Sequence, residues 1–220
     1  MARYNEPVVV IGLGRFGSAL ALELARRGTD VLAVDSRSQV VQRLAGQLSQ
    51  IVAADATDVE ALQALGVQHF TRAVVAIGTD QQSSILATAT LADLGVGAIW
   101  AKALDAQHAR ILERVGAHHV VLPEHDMGER VAHLVSGRML DWIEIDDDWV
   151  LAKTQPPKYL AGVPLGESKL RSKHKVTVVA VKPENGTSFT HAGTDTVLRY
   201  GDHILVGGRP EDVEKFVDTL

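Results

Sequence analysis

The 220-residue sequence contains no cysteine, which excludes a disulfide scaffold, a thiol nucleophile and a cysteine-based zinc site. It also lacks an excess of positive charge. Lys and Arg number 22 against 27 Asp and Glu, for a formal charge of −5, and the basic residues are scattered rather than clustered. That balance argues against nucleic acid as the main partner. No apolar run approaches the ~20 residues needed to span a bilayer. The opening stretch Ala2-Arg3-Tyr4-Asn5-Glu6-Pro7 is polar and has no signal-peptide pattern. The expectation is a cytoplasmic protein without direct membrane insertion, acting on any membrane process through a partner. Nine histidines are present, and none stands at a convincing catalytic or metal-ligand spacing. The adjacent His118 and His119 would diverge on a strand.

What is present suits a packed core, with 46% hydrophobic and 22% charged residues. The length fits one full domain and a small one. The informative stretch lies near the start. Val8-Val9-Val10-Ile11 reads as a buried strand, and Ser18 to Arg27 as an amphipathic helix. Between them Gly12, Gly14 and Gly17 hold the G-x-G-x-x-G spacing, with Leu13, Arg15 and Phe16 in the gaps. Gly12 allows the tight turn, Gly14 leaves room for a pyrophosphate, and Gly17 lets the helix lie close to the sheet. The first N–H groups of that helix, with its macrodipole, would face the phosphates.

A second strand, Asp30 to Asp35, ends in an acid eighteen residues past Gly17. In dinucleotide-binding folds an acid at about that distance bonds the ribose hydroxyls. It would repel a 2′-phosphate, which disfavours NADP, although the nearby Arg37 weakens that exclusion. Asp35 could also serve as a helix N-cap, with Ser36 and Ser38 as rivals for that post. Gln39 to Leu48 reads as a helix and Ile51 to Ala54 as a third strand. Asp55-Ala56-Thr57 follows at the strand's C-terminal end, where open α/β sheets bind ligands. Asp55 and Thr57 could meet the adenine edge or cap the next helix, a role that Asp58 could also fill. Strands Arg72 to Ile77, Ala98 to Ala103 and His119 to Leu122 alternate with helices Gln81 to Leu94 and Asp105 to Val115. The pattern predicts an α/β fold, a Rossmann-like doubly wound parallel sheet. A crossover helix from Pro123 to about Met139 would then lead into a small α+β subdomain.

The texture changes near Leu140, placing the domains at 1–139 and 140–220. The later part suggests antiparallel strands: Trp142 to Ile145, Trp149 to Ala152, Lys175 to Val181 and Tyr200 to Gly208. Pro183-Glu184-Asn185-Gly186 predicts a hairpin whose Asn-Gly favours type I′ geometry. Arg209 to Leu220 reads as a terminal helix.

Taken together, Ile11 to Gly17, the Val34-Asp35 strand end, Asp55-Ala56-Thr57, Ala76-Ile77-Gly78, Trp100 to Ala103 and Pro123 to Gly128 resemble the RCK (regulator of potassium conductance) domain. The similarity is strongest to the cytosolic gating subunit of bacterial Ktr-type potassium uptake systems. Val163 to Leu170, Val176 to Lys182, Leu198 to Asp202 and Ile204 to Gly208 resemble the family's C-terminal subdomain, also called TrkA-C. The resemblance implies a non-enzymatic regulatory subunit, peripheral to the inner face of the membrane. Dimers would assemble into an octameric ring under a membrane potassium channel subunit. It implies ATP or ADP as ligand in preference to NAD(H). The loop Gly12 to Gly17 would take the phosphates, Asp35 and Ser36 the ribose, and Asp55, Ala56 and Thr57 the adenosine end, with Ile77 and Gly78 beside them. Arg15 would reach the terminal phosphate of a neighbouring subunit's nucleotide. Lys102 would lie near the site, and Glu124 would hold a divalent cation, magnesium or calcium. Cyclic di-AMP would bind the C-terminal lobe, near Arg171 and His174.

Two readings compete. An NAD-dependent oxidoreductase could use the first ~140 residues, but a hydride-transfer enzyme needs a placed acid or base near the nicotinamide, and the rest of the chain offers none. An NAD(H)-sensing repressor would need a basic DNA-reading element, and none is visible.

Overall fold

The computed structural model describes residues 6–135 and 139–219. The chain divides into two compact units between Glu124 and His125. The first unit contains β1 (Val8–Ile11), α1 (Arg15–Arg26), β2 (Val31–Asp35), α2 (Ser38–Leu44), β3 (Gln50–Ala53) and α3 (Val59–Ala64). It continues with β4 (Arg72–Val75), α4 (Gln81–Asp93), β5 (Ala98–Lys102), α5 (Ala106–Arg114) and β6 (His119–Val121), and α6 (Pro123–Val135) begins at its end. All six strands run parallel in the order β3-β2-β1-β4-β5-β6. This is the doubly wound order, with its reversal between β1 and β4.

The reason lies in the strands themselves. Every residue of β1 and β2 is buried, as a strand covered on both faces requires. Alternate residues enter opposite cores. Val9, Ile11, Leu32 and Val34 join Ala73, Val75, Ile99 and Ala101 on one face. Val8, Val10, Val31 and Ala33 join Leu13, Ala21, Leu44 and Leu48 on the other. Asp58, Asp80 and Asp105 cap α3, α4 and α5 by accepting backbone N–H groups of their first turns.

The second unit contains β7 (Asp141–Asp146), β8 (Trp149–Thr154), α7 (Leu170–Lys173), β9 (Thr177–Lys182), β10 (Thr190–His191), β11 (His203–Gly208) and α8 (Pro210–Val217). The sheet order is β10-β9-β11-β8-β7, antiparallel throughout. One core gathers Trp142, Val150, Ala152, Val178, Ile204 and Val206 beneath Val213, Phe216 and Val217 of α8. The α/β plus α+β architecture is as the sequence predicts.

Three local expectations change. The helix expected over 39–48 stops at Leu44, and Ala45 leaves the helical region at ψ 133°. The crossover helix is described to Val135; the expected continuation toward Met139 crosses 136–138, outside the described residues. Asn185-Gly186 makes no type I′ hairpin, because neither residue has a positive φ. Instead Gly186 N–H bonds Pro183 carbonyl at 2.8 Å, and β9 meets its partner β10 only at Thr190.

Candidate functional site

A cavity of about 210 Å³ opens at the C-terminal ends of the parallel strands, at the reversal of strand order. Gly12, Gly14, Asp35, Ser36, Asp55, Ala56, Thr57, Ile77 and Gly78 all line it. Arg15, Phe16, Gly17, Lys102 and Glu124 are not lining residues, although the first three belong to the same turn.

The glycine turn is built for close approach. Gly12 sits at φ 90°, and its N–H bonds Val34 carbonyl at 2.7 Å. A Cβ on Gly17 would stand 1.9 Å from Gly12 carbonyl oxygen, so no other residue fits there. Gly14 differs: a Cβ there would meet nothing within 4 Å. The space beside Gly14 is open, as a phosphate-binding turn requires. Helix α1 starts from Gly14 without a side-chain cap and without an acid in its first turn. The capped helices α3, α4 and α5 have no such free end. An anionic phosphate fits the N–H groups left there.

Asp35 ends β2 with its side chain buried and pointing back at the turn. Its Oδ2 accepts Leu13 N–H at 2.7 Å, tying the second strand to the glycine turn. Oδ1 accepts Arg37 backbone N–H at 2.9 Å, and the Arg37 guanidinium donates to both oxygens, each at 2.9 Å. Burial pushes this carboxyl upward, but the Arg37 and Leu13 hydrogen bonds outweigh it and hold the group below the usual Asp range. Asp55 is not the cap of α3, since Asp58 takes that post. Asp55 Oδ1 instead accepts Thr57 N–H at 2.9 Å and Thr57 hydroxyl at 2.8 Å, and these two bonds lower its pKa. The two residues form one small polar turn on the cavity rim.

A second charged group lies at the ends of β5 and β6. Lys102, buried, donates to Glu124 Oε1 at 2.5 Å. Its Nζ is also 3.0 Å from where a Cβ on Gly78 would stand, beside the cavity lining. The Lys102 hydrogen bond, with a further contribution from the charge of Arg15, keeps the Glu124 carboxyl below its ordinary range. Arg15 is exposed on the first turn of α1. The structure therefore brings Arg15, Lys102 and Glu124 into one electrostatic neighbourhood. As a cation site it does not fit: Glu124 contributes one carboxylate already engaged by an ammonium. No group of three or more His, Cys, Asp or Glu side chains placed to hold a metal occurs among the described residues.

In the second unit a cavity of about 540 Å³ is lined by Arg171 with Lys169, Ser172, Thr177 and Thr194. Lys169 and Lys175 flank α7 with φ of 55° and 56°. His174 is not among the lining residues. Its Nε2 instead lies 3.1 Å from Tyr159 hydroxyl, and its ring packs edge-on against Phe216. The structure thus separates Arg171 from His174.

Residues 8–123 match the TrkA-N domain and residues 150–220 the TrkA-C domain. Ktr system potassium uptake protein C of Bacillus subtilis (strain 168) is 36% identical over 213 residues, covering 96% of each chain. Ktr system potassium uptake protein A of Vibrio alginolyticus is 37% identical over 210 residues, covering 94% of each. The chain belongs to the Ktr potassium uptake protein family. Its fold also matches the crystal structure of the GsuK RCK domain, with a TM-score of 0.65 over 97% of this chain and 47% of that one, at 18% identity. The present chain thus spans about half the length of the GsuK chain. No helix among the described residues is long and apolar enough to cross a membrane.

Within this Ktr family member, the sequence reading missed two features of the site. One is the bond from Leu13 N–H to Asp35, which spacing alone does not reveal. The other is the fork of Arg37 on Asp35. Its signal was present in the Asp-Ser-Arg run, because a guanidinium two residues from a buried acid can fold back onto it.

Proposed function

We propose that this chain is a nucleotide-sensing regulatory subunit that gates a membrane potassium channel subunit of the Ktr type. The carrying observation is the crevice at the strand reversal, lined by Gly12, Gly14, Asp35, Asp55 and Thr57, with Lys102 beside its lining residue Gly78. Asp35 and Ser36 would receive the ribose, Asp55 and Thr57 the adenine edge, and the N–H groups of the glycine turn the phosphates. ATP and ADP share everything except the γ-phosphate. A shift in equilibrium needs a ligand with different affinity for the two states, so that group must be sensed. Arg15 and Lys102 are the side chains that would respond to it, because a cation acts on the added charge. Arg15 reaches outward from α1, which suits a contact with the nucleotide of a neighbouring subunit.

Assembly as a homo-oligomer, dimers joined into an octameric ring, is supported by exposed apolar side chains on α6: Met127, Val131 and Val135. The cavity beside Arg171 is the place where cyclic di-AMP would bind the second unit. A cytoplasmic location, with attachment to the membrane through the channel subunit, follows from the same reading. Adenine nucleotides are proposed in preference to NAD(H) on the likeness to the Ktr-type gating subunits. The GsuK channel has been solved bound to NAD and, separately, bound to ADP, so both ligand classes belong in the test.

Thermal shift with ATP, ADP, NAD and NADH separates the readings, followed by potassium flux with the co-purified membrane subunit. Stabilisation by ATP and ADP, with flux differing between them, is expected. Selectivity for NADH over both adenine nucleotides overturns the proposal. Arg15→Ala should bind ADP as wild type does and lose the difference between ATP and ADP.

A further inference from the structure

The carboxylate assigned to the ribose is already saturated. Asp35 offers about four lone-pair sites on its two oxygens. Four N–H donors occupy them: Leu13 and Arg37 from the backbone, Nε and Nη2 from the Arg37 side chain. A ribose binds such an acid by donating from its two vicinal hydroxyls. Neither hydroxyl can do so while the fork is in place.

The four donors are not equivalent. The two backbone groups are fixed by the turn and by the strand end. The guanidinium is held by a side chain that is 56% exposed, while the Asp35 side chain is 3% exposed. Its release into water is cheap, whereas the buried carboxylate must keep partners. Two guanidinium N–H groups can therefore be exchanged for two ribose O–H groups with the backbone bonds intact.

We infer that Arg37 is a specificity-determining latch, a stand-in for the ribose diol that holds Asp35 and must leave before a ribose diol can bond that carboxylate. This rests on the crevice being a nucleotide site, as proposed above. The latch opposes every vicinal-diol nucleotide equally, because it acts at the ribose and not at the phosphates. It sets the concentration at which the site fills and leaves the choice between ATP and ADP to Arg15 and Lys102. It also favours neither a 2′,3′-dideoxy nucleotide nor its exclusion, since such a ligand has no hydroxyl to exchange.

The test measures ADP, ATP and 2′,3′-dideoxy-ADP affinity by calorimetry for wild type, Arg37→Ala and Arg37→Lys. In Arg37→Ala the preference for ADP over the dideoxy analogue should rise roughly threefold to tenfold, the scale of one exposed but bidentate ion pair. The ATP-to-ADP ratio should not move. Arg37→Lys, a point charge without the fork, should fall between. The preference is a ratio within each protein, so lost stability in a variant does not imitate it. An unchanged or reduced preference in Arg37→Ala, with ADP still binding both proteins, overturns the latch alone. Failure of wild type and Arg37→Ala alike to bind ADP or ATP overturns the nucleotide reading and the latch with it.

Discussion

In the parallel sheet, neighbouring residues of one strand enter two different cores, Val9 and Ile11 on one side and Val8 and Val10 on the other. In the antiparallel sheet, one face meets the single core under α8, while Ile143, Ile145 and Val179 are exposed. The difference follows from connectivity. Parallel strands need crossovers, which put helices on both faces and gather every strand's C-terminal loop at one edge. Asp35, Asp55 and Gly78, far apart in the chain, meet there for that reason. Antiparallel strands turn back at either end and gather nothing automatically. The cavity of the second unit is built instead by the irregular stretch around α7, held between two lysines in the left-handed region.

The largest expected effect isolates the second unit. Phe216 is fully buried beneath its sheet, so Phe216→Ala should cost about 3–5 kcal/mol. Chemical denaturation should show that loss in one transition, while stabilisation by ADP survives in the other. Loss of both together would mean that the units do not respond separately.

Next comes a pair within the glycine turn. Gly17→Ala places a Cβ 1.9 Å from a carbonyl oxygen and should cost about 3 kcal/mol, at the upper end for forced overpacking. Gly14→Ala meets no protein atom and should stay within about 0.5 kcal/mol of wild type. Its side chain would nevertheless occupy the phosphate space, so ADP binding should fall. If Gly14→Ala bound ADP normally, the open space would have no role in phosphate binding.

A smaller, pH-dependent effect concerns the first unit. His108 is buried on α5, where Leu104 N–H donates to Nδ1 at 3.3 Å and Nε2 has no partner. Burial holds its pKa below 6.5, against a weaker opposing pull from Asp105. Only the unfolded chain then takes up a proton as pH falls through about 6.5. Stability is complete above that value and declines below it until the folded pKa is reached, by at most about 1.4 kcal/mol per pH unit. Melting curves between pH 8 and pH 5 should show the decline in wild type and a shallower one in His108→Gln. Equal slopes would assign the acid sensitivity elsewhere.

Much of the first unit was legible because its rules are local. A fully apolar run, glycines at fixed spacing and an acid at the next strand end each carry their own physical reason, and the regular strand–helix alternation gives the doubly wound class. The second unit was less legible. Asn185-Gly186 has the composition of a tight turn, yet the chain does not close there. Pro183 sets a different turn, and pairing waits until Thr190. Arg171 and His174 lie three residues apart in sequence, but the short helix between them sends one to the cavity and the other to Tyr159. Spacing on one turn of α7 could not decide which.

The sequence by itself determined that a phosphate-sized gap follows β1 and that an acid lies within reach of it. Those are properties of glycine, of strand burial and of a β-α-β crossover, and they need no distant contact. Only the tertiary structure decided who holds that acid. Leu13 and Arg37 converge on Asp35 because β1 and β2 lie side by side and the following turn folds back. Likewise Lys102 meets Glu124 only once β5 and β6 are paired. A charge in the sequence is a capacity, and the partner that uses it is chosen by the fold, because ion pairs act over a few ångströms that the chain alone does not specify.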